Sequence, residues 1–132
     1  MTFTELRALW DFNDPAASER LFDSLLEAGI EDRAVVLTQK ARAQGLQRRF
    51  DDARATLALA RAFIEDEDSE AGVAYWIELG RLKNSMGNAM QARQHFQKAL
   101  MYARWSGQEC LEVDAAHMLG IVERARQAWS GI

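Results

Sequence analysis

One pattern recurs three times along this chain and limits its fold more than any other feature. A small residue, a large one and a second small one share a helical face at Ala17-x-x-x-Leu21-x-x-Ser24, Ala53-x-x-x-Leu57-x-x-Ala60 and Ala92-x-x-x-Phe96-x-x-Ala99. The copies begin 36 and 39 residues apart. Small side chains at this spacing let a neighbouring helix approach closely. A period of this length is typical of solenoids, which stack helical units.

The rest of the chain has a helical composition. Pro15 is the single proline, and Ala, Leu, Arg, Glu and Gln dominate the stretches between isolated glycines. Asp14 followed by Pro15 is typical of an N-cap with proline at the first helical position. We predict an all-α fold of six to seven helices. A short helix is expected at 3–10, and longer ones at 15–28, 32–46, 50–64, 70–86, 88–105 and 108 to at least 123.

Length and charge exclude several functional classes. The 132 residues suit one domain, and the net charge of -4 lacks the basic footprint of a nucleic-acid binder. Cys110 is the single cysteine and there are two histidines, so we expect no disulfide, no metal site and no cofactor. No apolar stretch suggests a signal peptide or a membrane span, and we expect no membrane partner. A cytoplasmic location fits best.

An acidic run, Glu65-Asp66-Glu67-Asp68-Ser69-Glu70, separates two predicted helices. Its carboxylates repel one another within a helix, while Ser69 and Glu70 favour the start of the next one. We interpret the run as a solvated linker in preference to a cation site.

Further residues resemble a known family, the tetratricopeptide repeats. Trp76-x-x-Leu79-Gly80, Gly87 at a turn, and then Ala92-x-x-x-Phe96-x-x-Ala99 are similar to its signature, although Lys83 replaces a usual aromatic residue. Leu119-Gly120 repeats Leu79-Gly80 forty residues later. Segments 9–15 and 37–46 also look like uncharacterised bacterial proteins of this family. The predicted units of a single domain are a degenerate half repeat at 1–29, repeats at 32–64 and 70–106, and an incomplete repeat at 108–132.

The resemblance implies a right-handed solenoid of helical hairpins whose first helices line a concave groove. Family members usually bind peptides or helices there. By family geometry the side chains that point into the groove are those of Thr38, Arg42, Ile77, Arg81, His117 and Ile121. Arg42 and Arg81 stand at equivalent positions, so two guanidiniums in one trough would favour an acidic protein or peptide. In the alternative, both are solvated or paired with local acids such as Glu78.

The sequence supplies little that suggests catalysis. No metalloprotease, thiol-redox, nucleophile-elbow or phosphate-loop motif occurs. Cys110 and His117 are seven residues apart on one predicted helix, about 10 Å by helical rise, which is too far for a thiolate–imidazole pair. We therefore predict a non-enzymatic protein-interaction module.

Self-association is the alternative function. The last repeat has a first helix from Glu112 to about Arg124, and only residues 127–132 remain where a second helix would cover it. An uncovered apolar face favours a homodimer, for which we select Trp105, Leu111, Met118 and Trp129. Two alternatives remain: a natural chain that continues, or residues from Arg124 onward that fold back as a half-helix.

Overall fold

The computed structural model describes the backbone of residues 1–130 and the side chains of residues 1–128. Within that part the chain forms seven α-helices and no strand, which confirms the all-α class. The helices are α1 (Phe3–Ala8), α2 (Pro15–Glu27), α3 (Arg33–Leu46), α4 (Phe50–Ala62), α5 (Glu70–Ser85), α6 (Ala89–Ser106) and α7 (Glu109–Ser130). Every predicted boundary except the open end of α7 lies within two residues of the observed one.

Two predicted caps form as expected. The Asp14 side chain accepts a hydrogen bond from the Ala17 N–H at 3.0 Å, and Pro15 occupies the first turn of α2. The Ser69 hydroxyl accepts one from the Gly72 N–H at 3.1 Å at the start of α5. Each cap satisfies a backbone donor that has no partner inside its own helix.

The helices pack in a regular order. Each helix from α2 to α7 contacts the next one in sequence, and α3 also contacts α5, as α5 contacts α7. The three helices α3, α5 and α7 therefore form one layer. Against that layer, α4 fits between α3 and α5, and α6 fits between α5 and α7.

A glycine–phenylalanine contact joins α5 to α6, as the repeat pattern predicts. A Cβ atom on Gly80 would lie 2.5 Å from Phe96 Cε1, so only hydrogen fits at this position. Ala92 and Phe96 are fully buried. Leu79 and Leu100 are partly buried against the core.

In α2, the first copy of the small–large–small pattern predicts a buried face that is shifted by one residue from the observed one. In α2 the buried side chains include Ser18 and Phe22, whereas Leu21 and Ser24 are exposed. Ser18 and Phe22 are four residues apart, as are Ala17 and Leu21, so both pairs satisfy helical spacing equally. Packing of Phe22 against Trp10, whose ring centroids are 5.2 Å apart, shows which face is inside.

The C-terminal end of the described chain differs from two expectations, a half-helix that folds back and an uncovered apolar face. Helix α7 continues without a break to Ser130, so no half-helix folds back from Arg124 within the described residues. Its inner side is covered by the protein itself, because Leu111, Ala115 and Val122 are buried. The expectation of an uncovered face around Leu111 is therefore wrong. Gly131 and Ile132 lie outside the described residues.

Candidate protein-binding groove

The N-terminal segment, residues 1–12, lies across the first turns of α3, α5 and α7. Three polar contacts join it to them: the Met1 amine to Asp32 Oδ2 at 2.9 Å, the Phe3 N–H to Glu70 Oε1 at 2.8 Å, and Arg7 Nη1 to Cys110 Sγ at 3.9 Å. Trp10 Nε1 donates to Gln39 Oε1 at 3.0 Å within the core. Phe3, Leu6 and Trp10 belong to the same hydrophobic cluster as the long helices.

Two of the predicted groove residues are closed to a partner. Thr38 and Ile77 are fully buried, and the Thr38 hydroxyl donates to the Val35 carbonyl at 2.6 Å. Family geometry alone placed both side chains in an open trough. They cannot contact a partner without unfolding of their surroundings, so the expectation that they bind one is wrong.

The protein has an open cavity at the C-terminal halves of α3 and α5. A cavity of about 220 Å³ lies between α3, α4 and α5 there. Its apolar wall includes Leu46, Leu57, Leu82 and Met118, and its polar wall includes Arg42, Glu78 and Arg81. Apolar walls with a few convergent polar groups are the usual features of a binding site.

Arg81 is paired with local acids, as the alternative interpretation held. Its Nη2 lies 2.6 Å from Asp114 Oδ2 on α7, and its Nε lies 3.1 Å from Glu78 Oε1. The Arg81 Nη1 also lies 3.1 Å from the Met118 sulfur. Burial lowers the pKa of Arg81, but the two carboxylates outweigh it and raise that pKa. The charge of Arg81 is therefore largely neutralised within the protein.

Glu78 experiences the opposite balance. Its side chain is almost fully buried, and this burial raises its pKa although Arg81 and Arg42 lower it. Removing a carboxylate from water costs more than the nearby guanidiniums return, which is common for buried ion pairs. The position thus depends on its arginine neighbours to hold a charge.

Arg42 has no such partner. Its guanidinium carbon lies 5.4 Å from the Trp10 ring centroid and 5.0 Å from that of Phe12, in cation–π geometry. Its buried Nε has no hydrogen-bond partner among the described residues. Burial lowers its pKa, and so do the Arg81 and Arg7 charges, while Glu78 raises it. Since arginine does not deprotonate in proteins, Arg42 stays a cation at the cavity wall, near the Glu78 and Asp114 carboxylates but without a hydrogen bond to them.

The remaining predicted groove residues, His117 and Ile121, are exposed on α7. The residues predicted for self-association form a different set. In that set, Leu111 and Met118 face inward, and Trp105 is 83% exposed on α6. The side chain of Trp129 lies outside the described residues, so its predicted role stays a prediction.

Sequence reasoning missed Trp10 and Phe12 as part of this site. The two rings stack with centroids 4.8 Å apart and planes 2° from parallel. The sequence signal that could have identified them is a pair of aromatic residues between two helices, where they cannot belong to the apolar face of an amphipathic helix. Their position beside Arg42, which lies thirty residues further along the chain, follows from tertiary packing.

Nowhere in residues 1–128 do three or more His, Cys, Asp or Glu side chains converge as a metal site would require. None of the helices α1 to α7 has the length and apolar character needed to cross a membrane.

Comparison with protein-family models, with curated proteins and with solved structures found no match. The site is therefore interpreted from its own geometry.

Proposed function

We propose that this chain is a non-enzymatic protein-interaction module, a solenoid of the tetratricopeptide type that binds a segment of another protein in its groove. The observation that carries the proposal is the Arg42 side chain at the wall of the open cavity, whose Nε has no hydrogen-bond acceptor. A half-buried guanidinium with an unsatisfied N–H is costly, and a ligand oxygen that accepts from this group would relieve that cost. As the single cysteine suggests, we propose a reducing, cytoplasmic setting.

The solenoid part of the proposal rests on the helix order. Helices that contact both the next neighbour and the next but one are expected when hairpins stack in a row. The Gly80–Phe96 contact lies where the family signature pairs a glycine on a first helix with a large residue on a second. A constant rotation between hairpins would then give the right-handed superhelix.

The ligand chemistry follows from the difference between the two arginines. Because Arg81 is held by ion pairs with Glu78 and Asp114, Arg42 is the guanidinium of the site that is left to bind a ligand oxygen. Its fixed planar group, held against Trp10 and Phe12, suits a carboxylate, while Leu46 and Leu82 suit an adjacent apolar side chain. We therefore propose an acidic peptide with apolar residues as the ligand.

Arg42→Gln tests this proposal. A degenerate peptide library rich in Glu, Asp and Leu is titrated against the protein, beside a matched library with Gln and Asn in place of the acids. We expect the protein to bind the acidic library, and we expect added salt to weaken this binding. Arg42→Gln should bind the acidic library with an affinity about tenfold or more lower than that of the parent protein. Arg20→Gln, on the exposed side of α2, is the matched control.

Arg42→Lys keeps the charge but removes the planar group, so its affinity for the acidic library should fall between those of the parent protein and Arg42→Gln. Circular dichroism checks that every variant is folded. Equal binding by the parent protein and Arg42→Gln, or binding that salt leaves unchanged, would contradict the proposal.

A second candidate function is self-assembly, and an exposed stripe on α7 favours it. Val113, Ala116 and Gly120 follow Val73, Trp76 and Gly80 by forty residues each. The α5 stripe is buried, with Phe96 of α6 over Gly80, whereas Val113 is 70% exposed. A second copy of the chain that covers this stripe would make a two-fold contact, because the same surface would meet itself.

Sedimentation tests self-assembly. At about 100 μM, well above the affinity of most weak dimers, the parent protein should sediment as a dimer. Val113→Glu should convert it to a folded monomer, because the new charge lies at the contact and outside the core. A parent protein that is monomeric at this concentration would remove self-assembly and leave the groove proposal untouched.

A further inference from the structure

A second surface lies at the C-terminal end of α6, away from the groove. Trp105 is 83% exposed and Met101, one turn earlier, is 56% exposed. With Tyr102 and the acidic loop of residues 65–68 they line a shallow depression of about 370 Å³. We call Met101, Tyr102, Trp105 and residues 65–68 the Trp105 patch. Tryptophan is usually well buried in monomers and is enriched, with methionine, in protein interfaces.

The charges of the patch are unbalanced. Glu67 has weak cationic neighbours, since Arg61 Nη2 and Lys98 Nζ each lie 3.9 Å from its Oε1. It also accepts a hydrogen bond from the Tyr102 hydroxyl at 2.6 Å. No ion pair joins Glu65, Asp66 or Asp68 to a basic side chain within the described residues. Arg104, the cation beside Trp105, is held by Glu112 at 2.9 Å.

Charge complementarity decides what fits here. We propose that the Trp105 patch binds a basic segment of a partner protein, with a lysine or arginine of that segment over the Trp105 ring and within reach of the free carboxylates. The ring face attracts a cation, and the acids of the loop neutralise it. Met101 and the ring edge cover the apolar residues next to that cation.

A second copy of this chain is a poor occupant. In a two-fold contact the patch would meet itself, which would bring two acidic loops close together. Trp105, selected from the sequence as a dimer contact, therefore suits a partner of opposite charge better. The patch also differs in sign from the Arg42 site, so the two surfaces can be tested separately.

The test is a titration followed by NMR. The probe is the hexapeptide amide Lys-Leu-Lys-Arg-Leu-Lys, and its control has Glu in place of every Lys and Arg. The basic peptide should shift the indole N–H signal of Trp105, which Trp105→Phe assigns, and salt should reduce the affinity. The acidic peptide should leave that signal in place.

Two variants locate the binding site. Trp105→Ala and the triple variant Glu65→Gln, Asp66→Asn, Asp68→Asn should each weaken binding about fivefold or more. Neither change touches the core, since these side chains are exposed or half-buried. Met90→Ala, at the exposed start of α6, should bind the basic peptide as the parent protein does.

Other results would overturn the proposal. These are no shift at about 1 mM peptide, which is the weak limit of specific recognition, an equal shift with the acidic peptide, and full binding by both patch variants. A change of sedimentation in Trp105→Ala would instead identify the patch as a contact between copies and would overturn it too. Loss of binding in Arg42→Gln would assign the basic peptide to the groove, which also contradicts it.

Discussion

Replacing Arg81 by methionine should lower the free energy of unfolding by about 3–5 kcal/mol near neutral pH, the cost of breaking a buried ion pair. Methionine preserves much of the side-chain volume but removes the guanidinium that joins Glu78 on α5 to Asp114 on α7. Glu78 is 3% exposed and would keep a buried charge with only Arg42 nearby. Urea denaturation of the parent protein and the variant measures the difference.

Arg93→Met is the matched control. Arg93 also pairs with a carboxylate of α7, that of Glu123, but both side chains are about one-third exposed. Solvent screening limits such a pair to about 1 kcal/mol or less. Similar losses in the two variants would mean that burial of the Arg81 cluster has no energetic consequence.

The effect of Arg81→Met should also depend on pH. Burial raises the pKa of Glu78 in the folded state above its ordinary value of 4.5, so the folded protein holds this proton more tightly than the unfolded chain does. Its contribution to stability is then full below about pH 4.5 and is lost as pH rises through the folded-state pKa. Removal of Arg81 raises that pKa further. The loss of stability should therefore be smaller at pH 5 than at pH 8, and an opposite trend would contradict the assigned role of Glu78.

Gly80→Leu should destabilise the protein by about 3 kcal/mol, the upper range for overpacking of a core. The added Cβ alone would lie 2.5 Å from a Phe96 ring carbon, and Phe96 is fully buried. Helices α5 and α6 must separate to accept the side chain. Thermal and urea unfolding both report this change.

Gly45→Leu supplies the comparison, because a Cβ on Gly45, in α3, has nothing within 4 Å. Leucine is a better helix former than glycine, so this variant should be as stable as the parent or slightly more stable. If Gly80→Leu melts like the parent protein, the close contact between α5 and α6 is wrong.

The sequence alone predicted the helices and one of their contacts. Asp14, Pro15 and Ser69 act on backbone groups within three residues, so their effect on helix starts needs no knowledge of the fold. The close approach of α5 and α6 at Gly80 and Phe96 could be predicted from the sequence for a related reason. A glycine on one helix and a phenylalanine on the next, joined by a short turn, leave few ways to pack.

Only the tertiary structure decided which face of α2 is inside and which groove residues are open. Ser18 and Phe22 fit helical spacing no better than Ala17 and Leu21, and the Trp10 ring selects between them. Thr38 is fully buried whereas His117, at the equivalent position of a later repeat, is exposed, and no local pattern encodes that difference.

The two arginines show the same limit most clearly. The sequence places Arg42 and Arg81 at equivalent positions of successive repeats. The structure pairs Arg81 with Asp114, a residue thirty-three positions away, and leaves Arg42 against aromatic rings from the N-terminal segment. Local spacing determines the side of the helix from which a side chain projects, whereas its charge partner depends on which distant segment packs beside it.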